Sequence, residues 1–352
     1  MKSVFIDGSA GTTGLRIRER LATRADLRVV VLADDVRKDP EARRAALNDA
    51  DVAFLCLPDA AAVEAAAMVE NPKTVVIDTS TAHRTADGWE YGFPELAGRR
   101  ERIARATRIA NPGCHASGFI ALVEPLVRAG VLPRSARLAA FSLTGYSGGG
   151  KKMIGAYEEI IELSNNRIIE CGKNREAIEC EKNGQKVETS TDNSTIRQFD
   201  YSIIWGGRQY ALTQTHKHLP EMAKVCGLEK APIFSPIVVP HYSGMEVTVQ
   251  VAADQFANLP TGGVLAALKQ IYKDYYATGL VCFVDDPAAA EGGFLSSAAL
   301  SGRDSMEVSV YGNEERVLLV SRFDNLGKGA SGAAIQNMNV ALGLPEEKGL
   351  EK

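Results

Sequence analysis

Long apolar runs, paired cysteines and an excess charge of one sign are all missing from this chain. No uninterrupted apolar stretch reaches the roughly 18 residues that a membrane helix needs, so a membrane protein is not expected. The N-terminus, Met1-Lys2-Ser3-Val4-Phe5-Ile6-Asp7-Gly8, enters a strand pattern at once and shows neither a signal nor a transit peptide. The six cysteines, at 56, 114, 171, 180, 226 and 282, form no CxxC pair and no His/Cys ligand spacing. They read as free thiols of a cytoplasmic protein, and no metal site is expected. A formal net charge of −4 and a pI near 5.9 leave no electrostatic footprint for nucleic acid or an anionic membrane. Any anionic substrate must therefore be caught locally. What is present is ordinary for a globular protein: 352 residues, 45% hydrophobic, enough for two domains with a core in each.

The first third alternates strand and helix patterns. Ser3 to Asp7 is followed by a glycine turn, a helix from Leu15 to Ala22 and a strand from Leu27 to Leu32. Val52 to Leu57, Ala60 to Val69 and Thr74 to Asp78 extend the alternation, which predicts a doubly wound parallel sheet of Rossmann type. Beyond residue 114 the pattern changes: helices are expected over about 116–129 and 150–163, then strands with period-two alternation at 245–251, 306–311 and 316–321. That predicts an α+β domain with a mostly antiparallel sheet. An alanine-, Asn- and Gln-rich helix at about 330–342 is expected to pack back on the first domain. The resulting division is 1–113 with 328–352 for the dinucleotide-binding domain and 114–327 for the catalytic and dimerisation domain. Residues 164–200 read as a polar excursion with a hairpin around Asn183-Gly184, and the charged tail from Glu346 to Lys352 is expected to fray.

Three separated motifs carry the chemistry. Gly8-Ser9-Ala10-Gly11-Thr12-Thr13-Gly14 follows a strand and opens a helix, a GxxGxxG variant of the dinucleotide fingerprint. Gly8 permits the tight turn, Gly11 the approach of a pyrophosphate and Gly14 close packing of helix on strand, with the helix N-terminus as the anion site. Asp34 stands where an acid often grips the ribose of NAD, whereas Arg37 and Lys38 beside it suit a 2′-phosphate, so charge pattern alone leaves NAD and NADP open. Asn111-Pro112-Gly113-Cys114 places a thiol at the start of an apolar helix, where first-turn amides favour the thiolate. Of the five histidines, two lie in Thr215-His216-Lys217-His218-Leu219-Pro220-Glu221, and a cysteine that makes and breaks thioesters needs such a proton-exchanging partner. His115 competes for that role, although adjacent helix positions point apart. Gly145-Tyr146-Ser147-Gly148-Gly149-Gly150-Lys151-Lys152 offers a backbone concavity for an anion without P-loop spacing, and Arg84 follows the C-terminal end of a parallel strand, where ligand sites lie.

These motifs, together with Tyr91-Gly92-Phe93-Pro94-Glu95-Leu96 and Asp324-Asn325-Leu326-Gly327-Lys328-Gly329-Ala330-Ser331-Gly332, resemble the N-acetyl-γ-glutamyl-phosphate reductases, in particular their shorter second type. The resemblance covers nearly the whole chain. It implies NADPH-dependent reduction of an acyl phosphate substrate to a semialdehyde in arginine biosynthesis, by a homo-oligomer, dimer or tetramer. It further implies Cys114 as the nucleophile, His216 as the acid–base residue, and Tyr210, His218 and Glu221 lining or orienting the site. Asn325 and Gly327 would lie on the nicotinamide side. Arg84 and Ser147 complete the substrate set, and Ser9, Ala10, Thr12 and Thr13 complete the cofactor set. The cysteine motif is shared with aspartate-semialdehyde dehydrogenases, which remain an alternative, as does a non-catalytic dinucleotide-binding sensor. The 164–200 excursion is longer than the family pattern leads one to expect.

Overall fold

The parallel half is organised around one buried strand. In the computed structural model, which describes residues 1–173 and 206–352, β1 (Lys2–Asp7) lies between β2 (Leu27–Val30) and β3 (Val52–Leu55). Beyond β3 follow β4 (Val75–Asp78), then β6 (Arg108–Ala110), then β5 (Glu90–Tyr91) at the edge, and every pairing is parallel. Both faces are covered, which is why β3 and β4 are buried along their whole length. Helices α1 (Thr12–Ala22), α2 (Pro40–Asp49), α3 (Asp59–Ala67) and α4 (Arg99–Ile103) make the connections. The chain leaves β1 in opposite directions toward β2 and β3, and the crevice at the C-terminal ends of β1 and β3 is therefore a switch point of the kind that binds ligands. The Gly8 turn sits in it. Gly8 has φ +83°, and a Cβ there would run into the Cys56 carbonyl, so no other residue fits this turn.

The second sheet has the order β11-β12-β13-β10-β7-β9-β8. Its strands are β7 (Ala139–Gly145), β8 (Arg208–Gln209), β9 (Ile233–Val239), β10 (Met245–Ala252), β11 (Val281–Phe283), β12 (Met306–Gly312) and β13 (Arg316–Phe323). Four pairings are antiparallel, while β7 with β9 and β11 with β12 run parallel, so the sheet is mixed and mostly antiparallel. Helix α5 (Cys114–Arg128) lies across β10 and β13, and packs also on α7 (Leu219–Cys226) and α8 (Val264–Tyr275). It is apolar on nearly all sides because it runs through the middle of the largest core.

Several boundaries differ from the expected ones. β2 stops at Val30, so Asp34 falls in the turn after the strand and is exposed. Helix α6 (Gly150–Lys173) continues through residues 164–173 of the expected polar excursion; the remainder of that excursion, with Asn183-Gly184, lies outside the described residues. After the short α9 (Pro287–Ala290), the chain returns through a π-turn (Gly327–Ser331) into α10 (Gly332–Ala341), whose Ala334, Ile335 and Met338 share a core with Val4 and Ile77 of the first sheet and Ile17 of α1. The tail does not fray. Arg24 donates to the Lys348 carbonyl (2.9 Å), and the Glu351 amide donates to Asp304 (2.9 Å), so its charged residues are strapped onto the surface by main-chain bonds. Among the described residues no helix is long and apolar enough to cross a membrane.

The return is fastened by a buried ion pair. Lys328 Nζ donates to both Glu95 oxygens (2.7 and 2.8 Å), and Gln336 donates to the same carboxylate (2.8 Å). Burial pushes the Glu95 carboxyl up, but the Lys328 ammonium outweighs it and the group titrates below its ordinary value. Removing one partner of such a pair leaves an uncompensated charge in the core, at about 3–5 kcal/mol. Lys328→Met should therefore lower the unfolding free energy, read from denaturant titration, by an amount of that order, and Glu95→Leu added to it should recover part of the loss. A single variant as stable as the parent would show that the pair does not fasten the return.

Candidate active site

The turn before Cys114 is held from three directions. The Asn111 amide donates to the Asp78 carbonyl (2.8 Å), which keeps the turn at the edge of the first sheet. The Gly113 amide donates to Glu221 Oε1 (2.8 Å), a buried carboxylate in the first turn of α7 that also accepts from the Tyr91 hydroxyl (2.7 Å) and Arg84 Nη1 (3.2 Å). Each nitrogen of Arg84 has a protein partner: besides the bond from Nη1 to Glu221, its Nε donates to the Asn111 carbonyl (2.9 Å) and its Nη2 to the Thr79 carbonyl (3.1 Å). Gly113 is the N-cap of α5, and a Cβ on it would strike the Arg84 guanidinium and the His218 ring. Glycine is thus required by close approach.

Three histidines gather around the thiol. His115 bridges Ser142 Oγ (2.8 Å) and Tyr210 Oη (2.7 Å), His216 stands with its ring centre 5.5 Å from that of His115, and His218 lies 4.8 Å from His216. The His218 amide donates to His216 Nδ1 (3.2 Å), so the neutral His216 ring carries its proton on Nε2. Burial takes His115 down to about 3, with the cations around it adding to the effect. Burial and Lys217 take His216 down to about 4, and burial and Arg84 hold His218 well below its ordinary value. All three are neutral at pH 7. The Cys114 thiol moves the other way from the sequence expectation: burial raises it, and this exceeds the lowering by Arg84, by the His115 amide and by Lys217. A helix N-terminus alone does not make this thiol a thiolate at rest.

These groups face one cavity of about 630 Å³. Cys114, His216, His218, Tyr210, Arg84 and Ser147 all line it, as expected of the catalytic and substrate sets. Glu221 does not; it lies behind the wall and orients it. On the cofactor side Thr12, Thr13 and Asn325 reach the same cavity, and Asn325 is fixed by donating to Ser147 Oγ (3.0 Å) and accepting from the Gly244 amide (2.9 Å). Gly327 is held away, packed on the Arg303 carbonyl; Gly329 takes the lining place, where a Cβ would lie 2.9 Å from the Cys114 Cβ. Ser9, Ala10, Asp34 and Arg37 line an adjoining cavity of about 520 Å³, and Gly8 a third of about 350 Å³. Gly11 caps α1, and a Cβ on Gly14 would run into the Gly8 carbonyl and lie 3.1 Å from the Cys56 Cβ.

The glycine turn fits a dinucleotide on its own geometry. Helix α1 opens with no side-chain cap, which leaves its first-turn amides for an anion. Arg18, Arg37 and Lys151 surround the second cavity with Asp34 as the one carboxylate in its lining.

Sequence reasoning missed Arg208, Lys217, Ser142 and the supporting role of Tyr91. Lys217 was legible between the two histidines of its motif; Ser142 and Tyr91 were not, because only tertiary packing brings them to His115 and Glu221. His83 is bound to Asp78 (2.6 Å) and stacked on Trp89 outside the cavity lining.

Comparison with known proteins agrees with this geometry. Residues 3–106 match the semialdehyde dehydrogenase NAD-binding domain and residues 184–325 the semialdehyde dehydrogenase dimerisation domain. An N-acetyl-γ-glutamyl-phosphate reductase 2 from a Nostoc species is 41% identical over 99% of this chain and 98% of its own, and an N-acetyl-γ-glutamyl-phosphate reductase from Burkholderia lata 40% identical over 98% and 97%. Among solved structures, aspartate semialdehyde dehydrogenase II from Vibrio cholerae covers 97% of this chain and 98% of its own with a TM-score of 0.66, at 15% identity, a likeness of fold. The chain belongs to the N-acetyl-γ-glutamyl-phosphate reductase family of the semialdehyde dehydrogenases.

Proposed function

We propose that the chain catalyses NADPH-dependent reduction of N-acetyl-L-glutamyl 5-phosphate to N-acetyl-L-glutamate 5-semialdehyde and phosphate, through a thioester on Cys114. The observation that carries this reading is a half-buried thiol at a helix start, three neutral histidines beside it, and a dinucleotide turn opening onto the same cavity. The free thiols among the described residues fit a cytoplasmic enzyme, and the match to a dimerisation domain supports a homo-oligomer, dimer or tetramer.

Cys114 sulfur attacks the acyl carbon, a C–S bond forms and the C–O bond to phosphate breaks, and the thiol proton ends on the departing phosphate. Bound nicotinamide would supply the hydride for the second half. As the thioester carbonyl is reduced, its oxygen gains charge, and His216, which lines the same cavity with its proton on Nε2, would donate to it; the C–S bond then breaks, the aldehyde is free, and the Cys114 sulfur takes up a proton from solvent. His115, locked between Ser142 and Tyr210, is committed to positioning. Residues 8–14 would hold the pyrophosphate. For the adenosine end, three cations against one carboxylate favour a phosphorylated ribose, so the reading is NADP.

In the reverse assay, N-acetylglutamate semialdehyde and phosphate should drive NADP reduction well above NAD reduction and above the rate with aspartate semialdehyde; preference for the aspartyl substrate would assign the chain to the other branch. Cys114→Ser should abolish turnover and leave NADPH binding intact. His216→Ala should lower kcat by about 10²–10⁴, and an unchanged rate would move the donor role elsewhere. Arg37→Ala should raise KM for NADP by about tenfold, the weight of one charge-assisted hydrogen bond, with KM for NAD little altered. Because burial raises Cys114, alkylation of the unliganded protein should still be accelerating at pH 9; a plateau reached below pH 8 would show a thiolate at rest.

A further inference from the structure

Arg208 opens β8 at the edge of the second sheet, paired with Val238 of β9. The two-residue period of a strand puts Arg208 on the same face as Tyr210, and both line the catalytic cavity. Tyr210 meets the ring of His115, the residue next to the nucleophile. Along an extended chain the Cα atoms of Arg208 and Tyr210 stand about 6.6 Å apart. Unlike Arg84, whose three nitrogens are taken up by the protein, Arg208 has as its hydrogen-bond partner among the described residues the Tyr157 hydroxyl, to which Nη2 donates at 2.9 Å. Its guanidinium carbon lies 5.1 Å from the centre of the Tyr157 ring, and Tyr157 is itself buried. Among the described residues the Arg208 Nε is buried without an acceptor. A guanidinium held by a buried tyrosine, with a buried donor left over, in the wall of a substrate cavity, is a group prepared for an oxyanion from outside the protein.

The substrate of the proposed reaction carries two anionic ends. The acyl phosphate end reacts at Cys114. The other end is an α-carboxylate, whose carbon is four C–C bonds of about 1.5 Å each from the acyl carbon. Cys114 and Arg208 line the same cavity, so both ends of the substrate meet a reacting or binding group in it. We propose that Arg208 binds the α-carboxylate of the substrate as a fork, fixes which acyl group is presented to Cys114, and is thus the specificity-determining residue of the site; this rests on the reductase reading above. The stack on Tyr157 serves to hold the fork in one plane, so that fewer rotamers are lost when the carboxylate binds.

The test compares two aldehydes in the reverse assay: N-acetylglutamate semialdehyde, and 4-acetamidobutanal, the same acylamino aldehyde without the carboxylate. The wild-type enzyme should favour the first in kcat/KM by about ten- to a hundredfold, the range for charge-assisted hydrogen bonds. In Arg208→Gln this ratio should collapse toward one, mainly through KM for the carboxylated substrate. Arg208→Lys, with the charge but not the fork, should recover part of it. Tyr157→Phe, which keeps the ring and removes the hydroxyl, should reduce the ratio less than Arg208→Gln does. If Arg208→Gln loses activity on both aldehydes in equal proportion, or keeps the wild-type ratio, Arg208 is structural and the proposal is overturned. Wild-type enzyme inactive with both aldehydes would instead overturn the reductase reading, and the proposal with it.

Discussion

The placement of the nucleophile depends on the hydrogen bond from the Gly113 amide to the Glu221 carboxylate. Gly113 ends the first sheet's last crossover, and Glu221 belongs to a helix more than a hundred residues later, so this one contact sets where α5 begins relative to the histidine segment. A carboxylate buried this deeply is tolerable only when its lone pairs are used and its charge is met. Tyr91 and Arg84 do both, and Arg84 in turn binds carbonyls after β4 and β6. The ion pair is therefore a joint between the C-terminal ends of two parallel strands and the start of α7. Loss of Glu221 would leave Arg84 charged and buried beside the thiol, and the damage would reach Cys114 by two routes, position and charge.

The local charge of the site opposes that of the whole molecule. The chain carries −4 overall, yet Arg84, Lys217 and Arg208 face the catalytic cavity and the carboxylate that compensates Arg84 stands behind its wall. A doubly anionic substrate is drawn by that local excess, while burial keeps the three histidines neutral and prevents them from adding further cations. The same burial holds Cys114 as a thiol at rest. Cations and the helix start act to lower it, desolvation to raise it, and desolvation prevails. The nucleophile is thus protected until an acyl phosphate, already activated by its leaving group, enters.

The parallel sheet, the glycine turn, the position of Cys114 and the histidine motif were legible because each is written locally: buried strands as apolar runs, the turn as glycines that only a positive φ or a close contact explains, the nucleophile as a helix start after Pro112-Gly113. What was not legible depends on neighbours distant in sequence. The ionisation of Cys114 could not be read from its helix position, since burial is a tertiary property. Gly327 and Gly329 are equivalent in a motif, and only packing distinguishes the one against Arg303 from the one against Cys114. Arg208 sits in an unremarkable polar stretch, and nothing in the local pattern shows that Tyr157, on a helix fifty residues earlier, holds it. The tail was misread for the same reason: its charges suggest solvent, and its main-chain bonds to Arg24 and Asp304 decide otherwise.

The π-turn at Gly327–Ser331 explains how two sheets built separately come to share one reaction cavity. Its wide hydrogen bonds run from the Gly329 amide to the Asp324 carbonyl (2.9 Å) and from the Ser331 amide to the Leu326 carbonyl (3.0 Å), and such irregular turns recur at functional sites. From this short segment Lys328 reaches back to Glu95 of the first half, Asn325 fixes Ser147 and Gly244 of the second, and Gly329 lies on the Cys114 Cβ. An ordinary helical turn would not direct these neighbouring residues to all three partners. Since the chain then continues into α10, which is buried on the parallel sheet, the wall of the thiol pocket is covalently continuous with the scaffold of the dinucleotide turn. A shift of one half against the other would have to break the Lys328 pair or drive Gly329 into Cys114. The register between the glycine turn and Cys114 is therefore set by the return of the chain, and does not depend on surface contacts between the halves.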